Sequence, residues 1–448
     1  MCIAAVEKPG TLMDQPPHWS ETAMTSTDLE KLAVAGGTPC VTDKPGSYLH
    51  GPQEIGDEEI NAVTDALRSK NLFRFFKGAE DSYVAKFEAE FKKLTQAEYV
   101  LAVNSGTSGL ICGMVGLGLS SGDEVIVPAY TYIATAAAAL SLHAIPVICE
   151  VDDTLTMDPD DLERRITPRT KLICPVHMRG TPSQMDRIMA VAKKHNIPVL
   201  EDVAQANGGA FKGQPLGSIG DAGAFSMQHF KIITAGEGGA FVARDKKTFD
   251  RGACYHDSAY TFWKERDNDL TIEPFLGQNF RMSELEGAVA WAQIQKRDRI
   301  LARTRSIKKK LMEVVGSFDN VTPQRMPCVE GDCSIALAFF GQDADHAKRI
   351  AEALGAEGMA AGTTFSKGIP DRHIFFHWDY VMAKRTSDLH GRPWNDPDRP
   401  VNFEYTKDMC PKSLEWLNRA VSCSITQRMS DEHVDSCCVA LKKVLSQV

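Results

Sequence analysis

Residues Gly223–Ala243 read GAFSMQHFKIITAGEGGAFVA. Two short apolar runs, GAFSM and GAFVA, predict buried strands. Between them stand a histidine, a lysine and a loop ending Gly236-Glu237-Gly238-Gly239. A connection between core strands has little use for Lys231 flanked by Phe230, Ile232 and Ile233, because an ammonium buried without a partner is costly. Upstream the rhythm repeats from Ala97. YVLAV, EVIVP, IPVICE, KLICPV and IPVLED alternate with helix-like segments such as PSQMDRIMAVAKKHN. Seven such runs separated by helices predict an α/β fold with a mostly parallel seven-stranded sheet and helices on both faces.

Outward from that core the chain divides three ways. Residues 1–30 mix Pro, Ser, Thr and Asp without period and read as a mobile tail. Residues 31–300 then form an arm and the large domain, and 301–448 a smaller α+β domain containing CSIALAFF and HAKRIAEALGAEG. Glu58–Ser69 places Ile60, Val63 and Leu67 on one helical face, and a long helical stretch runs from about Met282 to Val315.

A chain of 448 residues, 43% apolar, can bury a full core in two or three domains. A net charge of −9 argues against a nucleic-acid surface. The basic run RTRSIKKKL (Arg303–Leu311) reads as the solvated face of a helix. Twelve cysteines without a Cys-x-x-Cys pair, several in strand-like runs, fit reduced thiols better than disulfides or a metal site. With no secretory or membrane-spanning pattern, the expectation is a soluble cytoplasmic protein.

In an open parallel sheet ligands bind beyond the carboxyl ends of the strands. After YVLAV comes Asn104-Ser105-Gly106-Thr107-Ser108-Gly109, an anion cradle or an ordinary helix cap. After IPVL come Glu201 and Asp202, either a structural carboxylate or one held for a ligand cation. Ser226 and Lys231 follow the next strand, and a lysine in a partly apolar pocket is suited to forming an imine. Cradle, acid and lysine together are what pyridoxal 5′-phosphate requires for its phosphate, its ring nitrogen and its aldehyde. Tyr130 and Tyr132 in PAYTYIAT offer a ring to cover the cofactor.

The ordered set LAVAGGTP, VLAVNSGTSGL, GDEVIVPAYTYIATA, ITPRTKLICPVHMRG, VLEDVAQANGG, SMQHFKIITAGEGG and GQNFRMSELEGAVAWAQI resembles the DegT/StrS sugar aminotransferases, pyridoxal-phosphate enzymes of fold type I, from Lys31 to Val448. The resemblance implies that Lys231 forms the imine with the cofactor and Asp202 partners the pyridine nitrogen. It places Gln205 near the ring hydroxyl, Gly106, Thr107 and Ser226 on the phosphate, and Tyr132 against the ring. Asn279 in GQNFR would reach the phosphate of the other subunit, so a homodimer with shared sites is expected. Glutamate or glutamine is the implied donor, and a keto or aldehyde sugar or related polyol the acceptor.

A dehydrating branch of the family carries histidine at the lysine position. Here that position is Lys231 and His229 lies two residues away, which favours transamination over dehydration. A catalytically silent cofactor-binding regulator is the other alternative. GDEVIVP, ITPRTK, VHMRG and KKHN are most similar to the branch that makes 8-amino-3,8-dideoxy-manno-octulosonate. Arg74 in LFRFFKG either grips an anionic group of the acceptor or pairs with a structural carboxylate. His177 and Arg179 in VHMRG are candidate acceptor contacts, with loop ordering the other role for His177. RHIFFHWDY and HGRPWNDPDRP depart from the family pattern.

Overall fold

The computed structural model describes residues 31–76, 78–258, 270–365, 370–397, 399 and 403–448; the tail expected over 1–30 lies outside them. Strands β1 (Tyr99–Val103), β2 (Glu124–Pro128) and β3 (Ile145–Cys149) fall on the apolar runs, whereas β4 (Thr170–Ile173) starts one residue before KLICPV and β5 (Leu200–Asp202) keeps only the end of IPVLED. A two-strand hairpin, β6 (Ala210–Phe211) with β7 (Gln214–Pro215), precedes β8 (Ala222–Ser226) and β9 (Gly239–Ala243). The order β1-β9-β8-β5 continues through bridges Ile173–Val199 and Val176–Asp202 into β4-β2-β3. Seven strands thus form one sheet in which β9 alone runs antiparallel to its neighbours.

Both faces are covered, which is why the strands read as unbroken apolar runs rather than alternating ones. Val125 and Val127 of β2 enter one core cluster and Ile126 the opposite one. Apart from half-buried Cys40, the described cysteines are buried thiols.

The small domain is an antiparallel sheet, β10 (Thr322–Pro323), β11 (Ala336–Phe340), β13 (Ala420–Ser424) and β12 (Ala361–Thr363) in that spatial order. Helices Ala344–Ala356 and Asp431–Leu445 pack on it through Ile350, Leu354, Val434 and Leu441. Residues 301–448 do not, however, pack as one unit. Ile374, Phe375, Trp378, Trp394, Tyr405 and Leu417 all join the core of the large sheet. The Tyr405 hydroxyl donates to the Pro146 carbonyl at 2.8 Å, and Glu150 accepts the backbone and hydroxyl of Ser413 at 2.6 and 2.5 Å.

Three local expectations change. The stretch from Met282 to Val315 is two helices, Glu284–Ile294 and Arg297–Val315, interrupted at Gln295 and Lys296. The helix Asp57–Ser69 buries Ala62 and Ala66 against Ala288 and leaves Ile60 58% and Leu67 52% exposed. Alanines allow two helices to approach closely; Val63 packs half-buried beside that contact, and Ile60 and Leu67 of the expected face turn outward. The basic run is also less solvated than its composition suggests. Lys308 is buried on Asp332 at 3.0 Å, and Arg303 and Lys310 pair with Asp431 and Asp435 of the last helix.

Candidate active site

At the carboxyl ends of β1, β5 and β8 lies a cavity of about 490 Å³. Its wall includes Gly106, Thr107, Tyr132, Asp202, Gln205, Ser226 and Lys231, gathered from four separate stretches of sequence. Ser105 caps the helix Gly106–Gly116, accepting Ser108 N–H at 3.1 Å, so that helix opens its N-terminal amides toward the cavity. The cap and the anion cradle are therefore one structure rather than alternatives. A Cβ on Gly106 would stand 2.7 Å from that of Ser226, and only glycine permits this approach. The glycine loop after Lys231 is required for a related reason. Gly236 and Gly238 adopt φ of 86° and 145°, and a Cβ on Gly239 would lie 2.5 Å from the Ser105 carbonyl.

Asp202 is buried at the end of β5 and accepts Thr135 Oγ1 at 2.8 Å and the Ala204 amide at 3.0 Å. Burial pushes its carboxyl above the usual value, against the pull of those two donors and of Lys231. Burial likewise lowers the Lys231 ammonium, with Asp202 and Glu237 opposing. An acid at the cavity floor, a lysine with a weakened hold on its proton and an anion cradle at a helix start fit the cofactor's three polar ends. The residues present thus suit pyridoxal phosphate.

Of the two tyrosines, Tyr132 reaches the cavity, whereas Tyr130 is buried and accepts Arg179 Nε at 2.6 Å. Gln205 lines the cavity and accepts the Arg179 amide at 3.1 Å. Asn279 is exposed and does not line it, nor does His229.

Geometry separates the three candidate acceptor contacts. Arg74, 7% exposed, bonds Glu88 at 2.7 Å and the Ala102 carbonyl at 3.1 Å, which commits its guanidinium to the structural role. His177 is fully buried; its Nδ1 accepts the Ser183 amide at 3.0 Å, so Nε2 carries the proton toward Glu201 at 3.0 Å. Arg179 faces a separate polar cavity of about 380 Å³, where Nη1 donates to Ser422 Oγ at 2.5 Å. Glu201 also accepts the amides of Gly217, Ile219 and Gly220 at 2.7–2.9 Å. Glu201→Ala would strand four buried donors, and we expect it to cost about 3–5 kcal/mol. Urea unfolding checks this, and a loss below about 1 kcal/mol would contradict it.

Sequence reasoning missed Thr135, which orients Asp202, and His373, which lines the cavity from the divergent C-terminal segment. Thr135 stands three residues after Tyr132 in a motif already singled out; nothing in local sequence marks His373.

Fold and site together define a pyridoxal-phosphate-dependent enzyme of fold type I, and comparison with known proteins agrees. Residues 53–392 match the DegT/DnrJ/EryC1/StrS aminotransferase family, and the chain belongs to it. It is 33% identical over 308 residues to the L-glutamine:2-deoxy-scyllo-inosose aminotransferase of Streptomyces kanamyceticus, covering 66% of this chain and 70% of that one. It is 30% identical to the spore coat polysaccharide biosynthesis protein SpsC of Bacillus subtilis, over 87% and 95% of the two chains. The crystal structure of 3-amino-5-hydroxybenzoic acid synthase superposes with a TM-score of 0.73 at 25% identity, over 92% of this chain and all of that one. The chain is an aminotransferase of this family.

Proposed function

We propose that the chain moves an amino group from L-glutamine or L-glutamate to a keto or aldehyde group of an oxidised sugar or cyclitol. The observation that carries this reading is the single cavity shared by Lys231, Asp202, Ser226 and the Gly106–Thr107 helix start. Gly106, Thr107 and Ser226 would hold the cofactor phosphate, Tyr132 would cover the ring, and Gln205 would meet the ring hydroxyl. Pyridoxal phosphate supplies an aldehyde and an electron-withdrawing ring that make a donor Cα–H acidic. Asp202 would keep a proton on the ring nitrogen. Lys231 Nζ would carry the proton from Cα, a role suited to an amine whose proton is weakly held. With lysine rather than histidine at position 231, and His229 outside the cavity, transamination is favoured over dehydration.

The acceptor class rests on relatives named for 2-deoxy-scyllo-inosose amination and for spore coat polysaccharide biosynthesis. With Arg74 committed to Glu88, the anionic acceptor loses its proposed anchor. The test is to load the protein with the amine form of the cofactor and add keto-sugars and inososes in turn. Return of the aldehyde-form absorbance with one of them supports the reading; no return with any would overturn it.

The working form is a homodimer in the cytoplasm. Three observations support a partner surface. Ile60 and Leu67 form an uncovered apolar stripe, Phe76, Phe230 and Leu276 are exposed, and Asn279 lies outside its own cavity. If Asn279 serves the neighbour's phosphate, mixing Lys231→Ala with Asn279→Ala protein should restore activity to about a quarter of wild type after subunit exchange. Proven exchange without recovery would remove Asn279 from the partner's site. Reduced thiols fit the compartment, and among the described residues no helix is long and apolar enough to cross a membrane.

A further inference from the structure

The divergent segment RHIFFHWDY does more than pack. Its first residues lie along the loop after β2: Thr131 N–H donates to the His373 carbonyl at 2.8 Å and Ile133 N–H to the Arg372 carbonyl at 3.1 Å. This brings the His373 side chain, a third exposed, onto the wall of the cofactor cavity. Its ring lies 5.2 Å from that of Tyr132, centroid to centroid. Nδ1 stands 2.6 Å from Asp371 Oδ1, which also accepts the His373 amide at 3.0 Å. A carboxylate on Nδ1 fixes that nitrogen as the donor and leaves Nε2 as the basic one. Among the described residues Nε2 makes no hydrogen bond.

The groups around this histidine are Asp371 and Tyr132 in contact, Arg179 acting on Asp371 from behind, and Lys231, Glu237 and Asp202 on the same cavity wall. Burial works against the Asp371 carboxylate, yet bonds from His373 and the charge of Arg179 hold it below its usual value, so the dyad keeps its anion. Transamination needs two kinds of proton traffic. One is at the donor Cα, assigned above to Lys231. The other accompanies the exchange of nitrogen for oxygen: water attacks the carbon, a C–O bond forms, the C–N bond breaks, and both water protons finish on the departing nitrogen. The acceptor half runs the same steps backwards.

We infer that His373, oriented by Asp371, is the group that moves these protons, Nε2 taking one from the attacking water and delivering it to the leaving nitrogen. The second proton follows the same route as the C–N bond breaks, and the imidazole ends as it began. Asp371 is a positioning residue, acting only through His373. The inference rests on the transamination proposed above and gives the C-terminal segment a part in the chemistry.

The test separates the two kinds of traffic and needs no knowledge of the acceptor. Holo-protein is incubated with L-glutamine or L-glutamate in D₂O, and exchange of the Cα proton is followed by NMR beside release of the 2-oxo acid. In His373→Gln, exchange should stay within about threefold of wild type while oxo-acid release falls about a hundredfold, the lower range for a lost acid–base group. Asp371→Asn should show the same split, about tenfold. Exchange and release falling together would make His373 a structural prop for Tyr132 and overturn the inference, as would no change in either. If His373→Gln fails to fold, His373→Asn and Asp371→Asn carry the same comparison. Wild-type protein that exchanges and converts no proteinogenic amino acid would overturn the proposed function itself, and this inference with it.

Discussion

Lys231→Ala should abolish turnover, by about four orders of magnitude or more, while the protein still takes up pyridoxal phosphate. Ser226, Gly106, Thr107 and Asp202 remain in the variant, and they supply the polar contacts proposed for the phosphate and the ring nitrogen. What disappears is the amine that bonds the aldehyde and moves the Cα proton. In wild type, borohydride should fix the cofactor to Lys231, readable as a mass increase on the peptide containing that residue. Because burial lowers its ammonium below the ordinary lysine value, imine formation by the cofactor-free protein should reach its plateau at a lower pH than that of a free lysine. An adduct on another lysine, or a variant that turns over normally, would remove Lys231 from this role.

Asp202→Asn should cut activity about a hundred- to a thousandfold, the range for losing a charge aimed at the reacting system. The same substitution should make the cofactor-free protein more stable at neutral pH. Burial raises the Asp202 carboxyl, so the folded chain binds that proton more tightly than the unfolded one. Such a group contributes stability below its unfolded value near 3.8 and loses it as pH rises through the folded value. At pH 7 the buried charge is therefore a liability until a ring cation meets it, and a neutral amide escapes it. Thermal melts of the cofactor-free proteins should show the variant higher at pH 7, with the gap closing toward pH 4. A lower melt throughout would mean that Thr135 and the Ala204 amide already satisfy the carboxylate.

The large sheet was legible because its strands are covered on both faces. β2 and β9 fall on the apolar runs EVIVP and GAFVA, and β8 is offset by one residue from GAFSM. The polar residues at the strand ends were legible for a complementary reason: Asp202, Ser226 and Lys231 interrupt apolar sequence where a core has no need of them. What could not be read is pairing across distance. Arg74 finds Glu88 one helix later, and flanking phenylalanines give no hint of that carboxylate. Periodicity likewise says which residues of Asp57–Ser69 share a face but not which face the chain itself covers. Trp378, Trp394 and Tyr405 escaped because they follow no helical or strand period. Their place is set by the sheet they return to.

That return has a temporal side. Thr131 and His373 lie more than half the chain apart, yet their hydrogen bond closes one wall of the cavity. Chains emerge from the ribosome N-terminus first, and contacts between distant residues form slowly because the loop between them must close. The strands β1 to β9, with Lys231 already among them, are thus synthesised well before the segment that walls the site. Lys231 is therefore made before the wall that faces it, and the cavity is complete only once His373 has been added and bound to Thr131.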